Sequence, residues 1–167
     1  MPRRSGSILL LCAVLAIGAV GVALVLQHSF GMEPCAWCTF QRLVFLLVAA
    51  LAFVGWLLAG RSRTALVVSS LLAGVAALGG VWAALHQQFV ASKSQSCVFT
   101  FADRTLMKLR LDESLPWMFE ATASCSDANV PLLGIPFAAW SAALFLLLAA
   151  LAVRAALQVQ ATQESHA

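Results

Sequence analysis

Charged side chains are scarce in this sequence, where Asp, Glu, Lys and Arg together make up 10% of the residues. A soluble domain carries roughly 25% charged residues, so this chain has too few to cover a water-soluble core. The 62% share of hydrophobic residues indicates a membrane protein, and 167 residues suffice for a single membrane domain over residues 1–167. The net charge of +3 is small and the basic residues are scattered, which argues against a nucleic-acid partner.

Four long stretches lack charged side chains, and each can cross about 30 Å of hydrocarbon as a helix. The predicted spans are residues 7–26, 43–60, 64–85 and 136–153. The first is too long for the apolar part of a signal peptide, about 7–15 residues, so we expect it to be retained. We expect Pro136 in the first turn of the fourth span and a frayed polar tail from Arg154. The sequence therefore predicts an all-α membrane protein built as a four-helix bundle.

Basic residues orient a membrane protein, because Lys and Arg concentrate in short segments on the cytoplasmic side. Residues 27–34 have none, and residues 86–135 spread four basic residues over a long segment with five acidic ones. The termini and the turn at residues 61–63 hold Arg3, Arg4, Arg61, Arg63 and Arg154. We therefore expect a bacterial inner-membrane protein with both termini cytoplasmic and two periplasmic loops, over residues 27–42 and 86–135.

Four of the five cysteines lie on the predicted periplasmic side, where disulfides persist. They are Cys35, Cys38, Cys97 and Cys125, which lie outside the apolar runs or at their edges. Cys12 lies inside the first run, where a free cysteine acts as a small hydrophobic residue. The other four form an even set that is available for pairing.

Cys35 and Cys38 form a CxxC motif at the entrance to the second span. Two cysteines at this spacing can close a disulfide, and the N–H groups at a helix start favour the thiolate. If the helix starts near Cys35, then Cys38 and Arg42 share one face, where the guanidinium favours a thiolate and attracts an electron-rich oxygen. The alternatives are a static disulfide and, for Arg42, an anchor at the lipid headgroups.

Cys97 and Cys125 lie in the long outward loop, 28 positions apart. This spacing disfavours a zinc site, which usually takes its ligands as two close pairs. The apolar residues 115–119 look able to rest on the membrane surface. The loop is either a surface loop with a structural disulfide or a mobile arm that exchanges disulfides with a soluble partner and with the CxxC pair.

In this order and topology, these features resemble the bacterial disulfide-bond formation protein B (DsbB) family over nearly the whole chain. The resemblance also includes Pro34 before the motif, and Leu133-Gly134-Ile135-Pro136 followed by Trp140-Ser141 at the fourth span. It implies a quinone-dependent thiol oxidoreductase. Such an enzyme reoxidises a periplasmic thioredoxin-fold oxidase of the DsbA type and passes the electrons to ubiquinone or menaquinone in the membrane.

The resemblance also implies a role for each site residue. The redox disulfides would be Cys35–Cys38 and Cys97–Cys125. The partner's thiol would attack Cys97, Cys125 would turn to Cys35, and Cys38 would be freed as a thiolate facing the quinone. Arg42 would stabilise this thiolate and the developing quinol oxygen. His86 sits one position beyond the family pattern and is not assigned to the site.

Two other interpretations stay open at this point. A quinone-epoxide reductase of the vitamin K epoxide reductase type uses a similar bundle, but its loop cysteines usually precede its CxxC motif. A membrane scaffold with two structural disulfides would have no catalytic activity. Loss of quinone absorbance on mixing with a reduced partner separates the oxidase from the scaffold.

Overall fold

Four long helices form the body of the protein in the computed structural model, which describes residues 2–93, 100–128 and 130–164. They are α1 (Pro2–Phe30), α2 (Ala36–Leu58), α3 (Arg63–Phe89) and, last in the chain, α7 (Phe137–Glu164). Within the described residues, four helices are long and apolar enough to cross a membrane. The predicted all-α membrane fold is therefore confirmed.

The segment between α3 and α7 contains only short elements in its described part. A 3₁₀ turn at Ala91–Lys93 is followed, from Phe101 on, by α4 (Phe101–Lys108), α5 (Leu111–Ser114), α6 (Pro116–Phe119), β1 (Pro131–Leu132) and β2 (Ile135–Pro136). The two strands form an antiparallel hairpin. Its two turn residues, Leu133 and Gly134, both have positive φ, as a two-residue hairpin turn of type I′ requires.

The four long helices form a ring in which each packs against two neighbours. α1 contacts α2 and α7, and α3 contacts the same two helices. Many buried positions hold alanine, among them Ala16, Ala52, Ala77, Ala149 and Ala155. Small side chains allow close backbone approach, on which association depends where hydrocarbon replaces water. At the centre, the rings of Phe45 and Phe145 stack with their centroids 3.8 Å apart.

Several element boundaries differ from the predicted ones. α1 continues to Phe30, just before Gly31, which has a φ of 66°. α2 begins at Ala36, which places the CxxC motif at its start. Pro136 belongs to β2 and not to the first helical turn. The predicted fraying from Arg154 is wrong, because α7 continues to Glu164 and buries Ala155, Ala156 and Val159.

Gly80 of α3 packs directly against the ring of Phe145, and a Cβ at Gly80 would overlap that ring. Phe145 is fully buried and stacked on Phe45, so it cannot move aside without disturbing α2. We predict that Gly80→Ala lowers the free energy of unfolding in detergent by about 1–3 kcal/mol. Gly79→Ala is the matched control, because nothing lies near its Cβ position. Equal effects of the two substitutions would contradict this packing.

Candidate active site

The CxxC motif forms the start of α2. Cys35 is the N-cap residue in an extended conformation, with φ −89° and ψ 172°, and Cys38 lies in the first turn. Their Sγ atoms are 3.2 Å apart, and both cysteines are free thiols. The hydroxyl of Thr39 donates to the carbonyl oxygen of Ala36 at 3.0 Å and braces this turn. The structure therefore holds the motif as a dithiol in hydrogen-bond contact.

The two thiols have different surroundings. Cys35 is fully buried, and its hydrogen bond with Cys38 together with burial raises the pKa of its thiol well above the usual value. Cys38 is only partly buried, and its Sγ accepts a hydrogen bond from Nε2 of Gln87 at 3.0 Å. The positive charge of Arg42, one turn further along α2, also acts on Cys38. An amide donor and a cation near this sulfur would both stabilise a thiolate, and Cys35 has neither among its hydrogen-bond partners in the described part of the chain.

Arg42 is buried despite its charge, with 5% of its surface exposed. Its Nη1 donates to Oε1 of Gln27 at 2.6 Å and to the carbonyl oxygen of Met118 at 2.7 Å. These acceptors belong to the last turn of α1 and to α6, so the guanidinium joins three elements. A side chain held in this way differs from the headgroup anchor considered above, which would reach out to water.

The segment predicted to rest on the membrane surface, residues 115–119, includes α6. Phe119 is buried and Trp117 is 52% exposed. The segment thus has one side turned into the protein, where Met118 meets Arg42, and one side turned outward.

Cys38 and Arg42 line a cavity of about 550 Å³. It is bounded by α1, α2, β1 and the start of α7, and its lining is apolar except for Cys38, Gln41, Arg42 and Ser141. Small-molecule sites have volumes of about 300–1,000 Å³ and combine an apolar lining with a few polar groups. Cys35 is not among the lining residues, so a ligand in this cavity meets Cys38 alone of the two thiols.

Cys35 packs instead against the long segment between α3 and α7, in a buried cluster that also contains Cys125. The carbonyl oxygen of Pro34 accepts hydrogen bonds from the N–H groups of Thr122 at 3.0 Å and Ala123 at 3.2 Å. These bonds hold the residues before Cys125 against the start of α2. The loop is therefore docked on the motif in this arrangement.

Cys125 is fully buried and disulfide-bonded. Its position in the sequence, away from every apolar run, gave no indication of this burial. Cys97 lies outside the described residues, so its pairing with Cys125 stays a prediction.

Three glutamines near the site were not identified from the sequence. Gln27 holds Arg42, while Gln41 donates to Gln87, which in turn donates to Cys38. In the sequence, each is only a polar residue in or beside an apolar run, and this feature alone does not indicate a functional site. His86 was left unassigned; its ring packs on that of Trp37, with centroids 4.5 Å apart, and it does not line the cavity.

One sulfur of the motif lies beside a disulfide-bonded cysteine, and the other lies beside a cavity among apolar helices. Such a pair can pass electrons between the two by thiol–disulfide exchange. The fold and the site thus define a membrane-embedded thiol–disulfide oxidoreductase.

Comparisons with known proteins agree with this class. The profile of the family "Disulfide bond formation protein DsbB" matches residues 4–155. The chain is 33% identical over 150 residues to disulfide bond formation protein B 1 of Pseudomonas savastanoi pv. phaseolicola. This alignment covers 89% of this chain and 88% of that protein. It is 32% identical over 142 residues to disulfide bond formation protein B of Ralstonia nicotianae, covering 84% and 87%.

The chain belongs to the DsbB family and is a disulfide oxidoreductase that acts in disulfide bond formation. It is a multi-pass membrane protein. Family membership favours this activity over the epoxide reductase and the scaffold.

We predict that Arg42→Leu releases α6, because the carbonyl oxygen of Met118 loses its donor. Amide hydrogen exchange at residues 115–120 should become at least about fivefold faster, while the middle of α2 stays protected. Arg61→Leu is the control, since Arg61 lies in an exposed turn. Unchanged exchange at residues 115–120 would mean that Arg42 does not hold α6 in place.

Proposed function

We propose that this protein reoxidises a periplasmic thioredoxin-fold oxidase of the DsbA type and passes the electrons to a membrane quinone, either ubiquinone or menaquinone. The observation that carries the proposal is the separation of the two thiols. Cys38 lines the apolar cavity beside Arg42, whereas Cys35 packs with Cys125. We assign the redox chemistry to Cys35, Cys38, Cys97 and Cys125, and quinone binding to Arg42.

The cavity fits a quinone in size and polarity. Its volume of about 550 Å³ accommodates a substituted ring, and its apolar walls suit hydrocarbon substituents. Arg42, Gln41 and Ser141 supply donors in the lining, and Arg42 and Gln41 lie on the same helix as Cys38 and would hold the ring oxygens. When bound, a quinone supplies the acceptor for two electrons and two protons and leaves as quinol.

The four cysteines carry electrons to the cavity by thiol–disulfide exchange. The partner's thiolate attacks Cys97 and breaks the Cys97–Cys125 bond, which leaves the electron pair on Cys125. Cys125 then attacks Cys35 in an oxidised Cys35–Cys38 pair, forming a Cys35–Cys125 bond and freeing Cys38 as a thiolate. Arg42 and Gln87 stabilise this thiolate beside the cavity.

The remaining exchanges restore the outer disulfide. The partner's second thiol displaces Cys97 and leaves as an oxidised disulfide. Cys97 attacks Cys125 and releases Cys35 as a thiol, so both electrons now rest on Cys35 and Cys38.

We further propose a single domain over residues 1–167 in the inner membrane, with cytoplasmic termini and the loops at residues 27–42 and 86–135 in the periplasm. The distribution of basic residues supports this orientation. The disulfide at Cys125 also supports it, because disulfides persist on the oxidising side.

We predict that Cys38→Ser lowers quinone turnover at least about hundredfold, because no sulfur then faces the cavity. Loss of ubiquinone absorbance in the presence of the reduced partner measures this rate. The same variant should still form a mixed disulfide between Cys97 and the partner. Cys12→Ala is the control, since Cys12 lies within the α1 core away from the cavity. Normal turnover by Cys38→Ser would refute its assignment.

A second prediction concerns the loop. Cys125→Ala leaves Cys97 as a free thiol, which should attack the disulfide of the oxidised partner, form a Cys97–partner disulfide and leave the partner's second cysteine as a thiol. The complex should be visible on a non-reducing gel, because the sulfur that continues the exchange towards Cys35 is missing. A further Cys97→Ala substitution should abolish the complex. A complex that persists without Cys97 would assign the partner's attack to a different cysteine.

A further inference from the structure

A buried amide pair lies directly behind the reactive sulfur. Gln87 of α3 is 2% exposed and Gln41 of α2 is 3% exposed. Nε2 of Gln41 donates to Oε1 of Gln87, and Nε2 of Gln87 donates to Sγ of Cys38 at 3.0 Å. Buried amides are unfavourable unless they are hydrogen-bonded, so each member of this chain depends on the next.

We propose that Gln87 is a further catalytic residue, which stabilises the Cys38 thiolate by donating a hydrogen bond to its sulfur, and that Gln41 is the positioning residue that orients the Gln87 amide. The part that Gln87 takes in turnover rests on the proposed function. The hydrogen bond at the sulfur can be tested without a quinone or a partner.

The orientation of the Gln87 amide decides the sign of its effect. A primary amide has an acceptor oxygen on one side and a donor NH₂ on the other. Because Gln41 donates to the oxygen, the NH₂ group is the part that faces Cys38. A donor stabilises a thiolate, whereas a carbonyl oxygen at the same place would stabilise the protonated thiol. Gln41 therefore determines that Cys38 faces a hydrogen-bond donor and not an acceptor.

Gln87 and Arg42 contribute in different ways. Nη1 of Arg42 is engaged by Gln27 and by the carbonyl oxygen of Met118, and Arg42 acts on Cys38 through its charge. Gln87 supplies a directed contact from another helix. The bond spans 49 positions in the chain, so the reactivity of Cys38 depends on α3 being packed against α2.

The test measures the thiolate of Cys38 by its rate of alkylation with iodoacetamide across pH. The full-length protein carries Cys12→Ala and Cys35→Ser, with Cys125 kept disulfide-bonded, so that alkylation reports on Cys38. Gln87→Met keeps the chain length and removes the donor. Since a hydrogen bond to a charged group is a strong one, we expect the rate at pH 7 to fall about tenfold. The limiting rate at high pH should stay unchanged, because Cys38 is then ionised with or without the donor.

Two more variants complete the set. Gln41→Met should lower the rate at pH 7 by a smaller factor, because Gln87 keeps its donor but loses its orientation. Gln88→Met, at the next position of α3, should leave the rate unchanged. In the enzyme with all its cysteines, Gln87→Met should slow quinone turnover while the mixed disulfide at Cys97 forms normally.

An unchanged rate at pH 7 in Gln87→Met overturns the proposal. So does an equal fall at pH 7 and at high pH, which would indicate reduced access to the sulfur and not a less stable thiolate. If Gln87→Met does not fold, Gln41→Met decides in the same way. If the alkylation results are as expected but the wild-type protein does not reduce quinone, the proposed function fails and the role of Gln87 at the sulfur stands.

Discussion

The end of the bundle that carries the CxxC motif is arranged around a buried guanidinium without a carboxylate partner. Among the side chains that the structure describes, the ion pair that forms is Arg110–Glu113, and Arg42 takes part in none. A cation removed from water needs compensation, and Arg42 finds it in two neutral oxygens, those of the Gln27 side chain and the Met118 carbonyl. These hydrogen bonds join α1, α2 and α6 at one point, next to the cavity.

The same arrangement makes the two thiols unequal. Cys38 lies on the face of α2 that carries Arg42 and opens to the cavity, whereas Cys35, at the N-cap, is turned into the loop. The carbonyl oxygen of Pro34 precedes the helix and is free to bind the loop, so the backbone that starts α2 also docks the residues before Cys125. A single helical turn therefore separates the thiol beside the loop from the thiol beside the cavity.

The bundle below the site supports this geometry through close packing. Alanine and glycine allow the helices to approach, and the stacked rings of Phe45 and Phe145 fill the centre. Because α2 and α3 are held at this distance, Gln87 can reach the sulfur of Cys38. Trp140 donates to the carbonyl oxygen of Leu132 and fixes the hairpin at the edge of the cavity. Packing far from the thiols thus contributes to the contacts made by the sulfur of Cys38.

The sequence by itself determined the features that depend on neighbouring residues: the four apolar helices, the CxxC motif at the start of α2, and the one-turn spacing that puts Arg42 on the face of Cys38. These follow from hydrophobic runs and helical periodicity, which are local properties. The tertiary structure decided which groups bind Arg42 and Cys38. Arg42 binds Gln27 and Met118, which are 15 and 76 positions away, and Cys38 binds Gln87, which is 49 positions away. The burial of Cys125 is likewise a result of loop docking. Contacts over such separations depend on how the helices pack, and the hydrophobic periodicity of the sequence does not predict them.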